Sequence, residues 1–177
     1  MGLDSRIRTM PLKSDTAFAA QDRSTVEAHI GAHLPDSLIA LLGTSAQAIT
    51  FEDGVEIKPL QPNSLAGQDG RQSVLVVLGL SSGRDGISET YDQYKTRLGD
   101  QYIPVASDGL GNLFVLHATS QEVLFWYHEC PQGEASPEAF TLVANDFDQF
   151  LSELQPEEET KEKASNISGV KKYSFDF

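Results

Sequence analysis

Tyr102-Ile103-Pro104-Val105-Ala106-Ser107-Asp108-Gly109-Leu110-Gly111-Asn112-Leu113-Phe114-Val115-Leu116-His117 is the stretch that decides the fold. Ile103–Ala106 and Leu113–His117 are short runs rich in β-branched and aromatic residues, and the spacer between them holds two glycines, an Asp and an Asn. Such a spacer reverses a chain. Glycine accepts positive φ at no steric cost, and Asp and Asn side chains bond their own backbone. Gly109 and Gly111 therefore read as turn-forming, fold-determining positions. A dinucleotide site would need a third glycine and a following helix. Downstream, Val123–His128 and Ala139–Val143 continue the strand pattern, with Ala118–Glu122 as a short link and Trp126 supplying a large apolar area. Links this short predict a mostly antiparallel sheet.

Upstream, Ser73–Leu80 is continuously apolar and β-branched, which predicts a central strand buried on both faces. Ala48–Phe51 and Val55–Leu60 flank Glu52-Asp53-Gly54, a spacer of the kind that closes a hairpin. Helices are expected in four places. One begins at Ser24, with Glu27 completing a capping box, and stops over Gly31–Leu34. A second starts at Pro35, whose missing N–H costs nothing there, and buries Leu38, Ile39, Leu41 and Leu42 before Gly43. A third runs over Ile87–Leu98. A fourth, capped by Asn145, carries Phe147, Phe150, Leu151 and Leu154. Two opening helices, strands in hairpin succession and a closing helix make an α+β domain with helices packed on one face of the sheet. Its expected extent is residues 22–154. Residues 1–21 read as an arm. Residues 155–177 read as a tail, acidic and then of mixed charge, with a flexible aromatic end at Tyr173–Phe177.

Charge narrows the function. The chain has 177 residues, 13 Lys and Arg against 26 Asp and Glu, and a net charge of −13. A surface this negative repels phosphate backbones and anionic lipid, so nucleic-acid and membrane partners are excluded. From Leu98 to Thr160 there is no Lys or Arg but there are twelve acids. A one-signed field of this kind acts over about 10 Å in physiological salt and speeds encounter with a cationic protein. The single cysteine, Cys130, forms no internal disulfide, and the longest apolar run, Val74–Leu78, is far too short for a bilayer. No signal-peptide pattern opens the chain, so a cytoplasmic location is expected.

Catalytic patterns are weak. Gly79-Leu80-Ser81-Ser82-Gly83 follows a strand, but Arg84-Asp85 stands where a phosphate loop needs Gly-Lys-Ser/Thr. His29 and His33 are four apart on an expected helix, yet Ile30 replaces the Glu of a zinc-protease motif and no third ligand is marked. His128 and Cys130 could pair as a small hydrolase would use them, but no oxyanion loop accompanies them. No catalytic residue, cofactor site or metal site is assigned. A binding role is the expectation.

Three segments together resemble the SUKH superfamily, which includes the yeast cell-wall assembly regulator and many bacterial toxin-immunity proteins. Leu34-Pro35-Asp36-Ser37-Leu38-Ile39-Ala40-Leu41-Leu42 is similar to its second helix. Tyr102–Asn112, continuing through Phe114, Leu116, Val123 and Phe125-Trp126-Tyr127-His128-Glu129, is similar to its strand, glycine turn and aromatic strand. Leu142–Leu151 is similar to its closing helix. The resemblance implies a protein-binding domain, often an immunity protein that occludes a nuclease or deaminase toxin. The alternative within the same fold is a regulatory or scaffold module for an endogenous protein. The expected mechanism is that acids mimic the phosphates a cationic toxin domain would bind. The candidate contact residues are Glu52, Asp53, Asp85, Asp108, Glu129 and Glu134, in loops or at strand ends. Pro35, Gly109, Gly111, Trp126, Phe147 and Phe150 are assigned to the fold.

Overall fold

Four helices and one eight-stranded sheet build the molecule in the computed structural model, which describes residues 2–12, 20–67 and 69–157. In chain order the elements are β1 (Thr9–Pro11), α1 (Arg23–Ile30), α2 (Asp36–Leu42), β2 (Ile49–Ile57), β3 (Gln72–Val77), α3 (Ile87–Leu98), β4 (Tyr102–Ser107), β5 (Leu113–His117), β6 (Val123–Trp126), β7 (Phe140–Ala144), α4 (Phe147–Glu153) and β8 (Gln155–Pro156). The sheet runs β1 to β7 in sequence order, with β8 also paired to β2, and every ladder is antiparallel. This is the expected α+β architecture, except that the helices are not confined to one face: α3 also packs Tyr94 and Leu98 on the second face. The arm residues Thr9–Pro11 extend it by pairing with Phe51, Thr50 and Ile49. The aromatic end at Tyr173–Phe177 lies outside the described residues.

Alternation along β5 and β6 explains the layers. Phe114, Leu116, Val123 and Phe125 belong to the main core, where α1 contributes Val26 and Ile30, α2 Leu38 and Leu42, and α4 Phe147 and Phe150. Leu113, Val115 and Trp126 point to the other face and form a smaller cluster with Leu98 and Ala139. α3 serves both clusters, sending Ile87 and Tyr91 to the first and Tyr94 and Leu98 to the second. It connects β3 and β4, which pair through Val76↔Ser107 and Val77↔Ala106, with Leu78 N donating to Val105 O at 2.9 Å just beyond.

Four local expectations are corrected. Glu52-Asp53-Gly54 does not reverse the chain; β2 is one strand with a bulge between Thr50↔Val76 and Val55↔Val74, spending five residues where β3 spends two. Gly54 stays within β2 because Glu157 donates its amide to Gly54 O at 2.8 Å and fills the space a Cβ would need. β3 is not buried on both faces along its whole length: Leu75 is 50% exposed although Gly109 lies against it, while Val76 and Val77 are buried. The capping box at Ser24 and Glu27 is absent. The helix is capped at Asp22 without a side-chain bond, and Glu27 instead accepts from Leu34 N and Arg23 Nε, both at 2.8 Å. The last helix is capped by Asp146, whose carboxylate accepts from Gln149 N at 2.7 Å, and not by Asn145.

The sheet edges are covered or short. Leu60 and Gln61 donate their amides to Val143 O and Leu142 O at 3.2 and 3.0 Å, which closes the outer side of β7. The outer side of β2 is shared by β1 and β8. β1 itself is three residues long and ends in Pro11, a poor template for further pairing.

Candidate partner-binding surface

The β4–β5 turn is built around a buried carboxylate. Asp108 is 8% exposed and accepts from Leu110 N at 2.8 Å, Asn112 N at 3.2 Å and Asn112 Nδ2 at 2.7 Å. With its amide nitrogen committed to Asp108, Asn112 offers Oδ1 to His128, whose backbone N donates at 3.2 Å and whose Nδ1 lies at 2.8 Å. An amide oxygen only accepts, so His128 carries its proton on Nδ1. Gly109 and Gly111 have φ of 79° and 96°, the left-handed region that favours glycine. A Cβ on Gly111 would also come within 3.1 Å of His128 Cε1, and one on Gly109 would strike Leu75. The outcome is a locked turn whose tip residue, Leu110, is 78% exposed.

Two grooves flank that tip. One of about 940 Å³ is lined by Leu110, Leu65, Arg71, Asp69 and Glu157. The other, of about 370 Å³, lies between α3 and the turn and is lined by Leu75, Arg84, Asp85, Tyr94 and Gly109. Leu75 faces the β2 bulge by register, because it lies between the partners of Thr50 and Val55. That brings Glu52 and Asp53, both exposed, to the same part of the surface. Asp85 is half-buried beside Leu75.

The six acids picked from sequence therefore separate. Asp85 lines the groove beside Leu75 together with Arg84, and Glu52 and Asp53 lie in the β2 bulge opposite Leu75. Asp108 is the exception to the exposed-acid expectation, because its oxygens are consumed by the turn. Glu129 is exposed and approaches His128 Nε2 at 3.9 Å. Glu134 is paired with Arg97, whose Nε donates at 2.8 Å and holds the carboxyl below the usual carboxylate range. Arg97 in turn lies over the Trp126 ring, 5.1 Å from its centroid, and the indole Nε1 donates to Glu134 O at 2.7 Å. Glu134 thus belongs to the cover over Trp126. Sequence reasoning missed Leu110, Leu75 and Glu157. A leucine between two turn glycines was the available signal, since a residue there sits at a tip and not in a strand.

His29, His33 and Cys130 make their contacts elsewhere. His29 Nε2 contacts Asp92 Oδ2 at 2.9 Å, while His33 lies beyond the end of α1, 93% exposed and 3.6 Å from Glu27. Cys130 Sγ contacts Gln132 Oε1 at 3.3 Å and Ser136 Oγ at 3.7 Å. Among the described residues no group of three His, Cys, Asp or Glu could hold a metal ion, and no helix is long and apolar enough to cross a membrane. The Gly79–Gly83 loop backs onto the Ala46–Ala48 backbone, and Leu80 N and Ser81 N both donate to Ala46 O at 2.7 and 3.0 Å.

The family model of SMI1/KNR4 (SUKH-1) matches residues 19–153. The chain belongs to the SMI1/KNR4 family. The SUKH-1 landmarks now have physical roles: Pro35 opens α2, the glycine turn carries Leu110, and Trp126, Phe147 and Phe150 are fully buried. Among curated proteins, this SUKH-1 chain is 29% identical over 148 residues to the SPbeta prophage-derived uncharacterized protein YokK of Bacillus subtilis (strain 168), covering 77% of this chain and 76% of that relative. No solved structure matches the chain.

Proposed function

We propose that this SUKH-1 protein is a bacterial immunity protein that acts in the cytoplasm by binding a cationic toxin domain and occluding its substrate cleft. The observation that carries the reading is the placement of charge. The described residues hold 21 acids and eight Lys or Arg, so the full net charge of −13 resides on the folded body. Six of those eight cations, Arg6, Arg8, Arg23, Arg71, Lys95 and Arg97, are already ion-paired within the molecule. What faces a partner is therefore acid, which attracts a cleft built for phosphates. Membership of a family rich in immunity proteins supports the same reading.

Co-expression with the product of the adjacent gene tests it. The expected result is a neighbour that arrests growth alone and is harmless beside this protein. A harmless neighbour, or a toxic one against which this protein gives no protection, overturns the reading. Electrostatic capture has a separate signature: the association rate falls as salt rises. A salt-independent rate would leave occlusion standing but remove the steering.

A further inference from the structure

We propose that the partner contact is centred on Leu110 and Leu75, flanked by Glu52, Asp53 and Asp85, and that its occupant is a segment of the cationic partner carrying an apolar side chain between Lys or Arg residues. This rests on the immunity reading above and names the surface that performs it. Isolated exposed leucines are ordinary on protein surfaces and carry no message. These two are not isolated. Leu75 packs against Gly109, the residue before Leu110, so they form one apolar ridge between the two grooves.

The ridge is also rigid, which is unusual for a loop tip. Three hydrogen bonds to the buried Asp108 and two contacts between Asn112 and His128 hold the turn, yet none of them uses the Leu110 side chain. A fixed apolar tip that loses little entropy on contact is the kind of group that anchors an interface, with charged residues around it as a rim. Strand addition is the competing mode of docking, and with β2 and β7 covered it is left only the three-residue β1, which ends in Pro11, and the two-residue β8. Charge selects the occupant. Of the cations lining the two grooves, Arg71 is paired with Glu56 and Asp69 and Arg6 with Asp4, while Arg84 stands beside Asp85; with Glu157, Asp53 and Glu52 the surround is still acidic on balance, which favours a basic segment.

The test uses the full chain and an inactivated toxin domain from the adjacent gene. Leu110→Ser and Leu75→Ser, both exposed positions, should each weaken the complex about 10-fold or more, mainly through faster dissociation. Glu138→Gln, on the loop covering Trp126, should change affinity less than about twofold. Hydrogen exchange of the wild-type complex should show protection at residues 75 and 109–111. If the wild-type chain binds but both leucine variants bind equally well and the footprint lies elsewhere, the surface is wrong and the immunity reading stands. If the wild-type chain forms no complex, the immunity reading fails and takes this surface with it. Methyl NMR of the free chain that places residues 158–177, or a second copy, against Leu75 and Leu110 would name a different occupant and overturn the proposal.

Discussion

The two halves of the sheet receive similar sequence and end in different environments. β5 and β6 are buried on both faces, with Phe114 and Phe125 in the main core and Val115 and Trp126 in the second cluster. β3 is no less apolar, yet Leu75 stands half in solvent while Val74 and Val77 are buried. The difference is what lies above. The C-terminal half of α3 and the loop around Ala139 cover Trp126, and that cover stops before β3. A hydrophobic run tells that a strand exists and says nothing about whether its second face will be roofed.

The strongest way to break this comparison is Trp126→Ala. Removing a fully buried indole should cost about 3–5 kcal/mol in urea denaturation; a loss below about 1 kcal/mol would mean the second cluster adds little to stability. Asp108→Ala comes next. It strands the amides of Leu110 and Asn112 and the Asn112 side chain, and should cost about 2 kcal/mol while freeing the turn. Loss of the slow exchange of the Leu110 amide is the direct readout. Glu134→Gln is smaller, because the pair with Arg97 is more than a third exposed and screened, and should cost less than about 1 kcal/mol. Its pH behaviour has a definite sign. The folded-state carboxyl is held below its ordinary value of 4.5, so the pair's contribution is present above that pH and is lost as pH falls through and below it. The fall of Tm between about pH 6 and pH 3 should therefore be shallower in Glu134→Gln than in the wild type. Leu110→Ser should change stability by no more than about 0.5 kcal/mol, since the side chain touches little. A larger loss would show that the ridge serves folding and not recognition.

Much of the fold was legible because its signals are local. α3 occupies Ile87–Leu98 and β5 occupies Leu113–His117, as periodicity and turn chemistry predicted. The glycine turn was legible for the same reason. Glu52-Asp53-Gly54 misled because a turn-prone triplet also suits a bulge, and only the register against β3 and the approach of Glu157 distinguish the two. Ser24 and Glu27 misled similarly: Glu27 found better donors in Leu34 and Arg23, and the latter reaches Asp36 as well.

The candidate surface was less legible than the fold. Counting acids named Glu52 and Asp53, which lie in the bulge opposite Leu75, and Asp85, which lines its groove, together with Asp108 and Glu134, whose charges are used internally. It missed Leu110, because an apolar residue attracts no notice in a search for charge.

By itself the sequence determined the four helices, the strands from β3 to β7 and their antiparallel links, the family and the net charge of −13. These follow from backbone preferences, residue spacing and composition, which need no knowledge of what lies across the molecule. The tertiary structure alone decided which apolar strand face stays open, which carboxylates are neutralised, and which leucine a locked turn holds in solvent. Those outcomes depend on contacts between residues far apart in the chain, such as Arg97 with Glu134 and Asn112 with His128, and no local pattern encodes them.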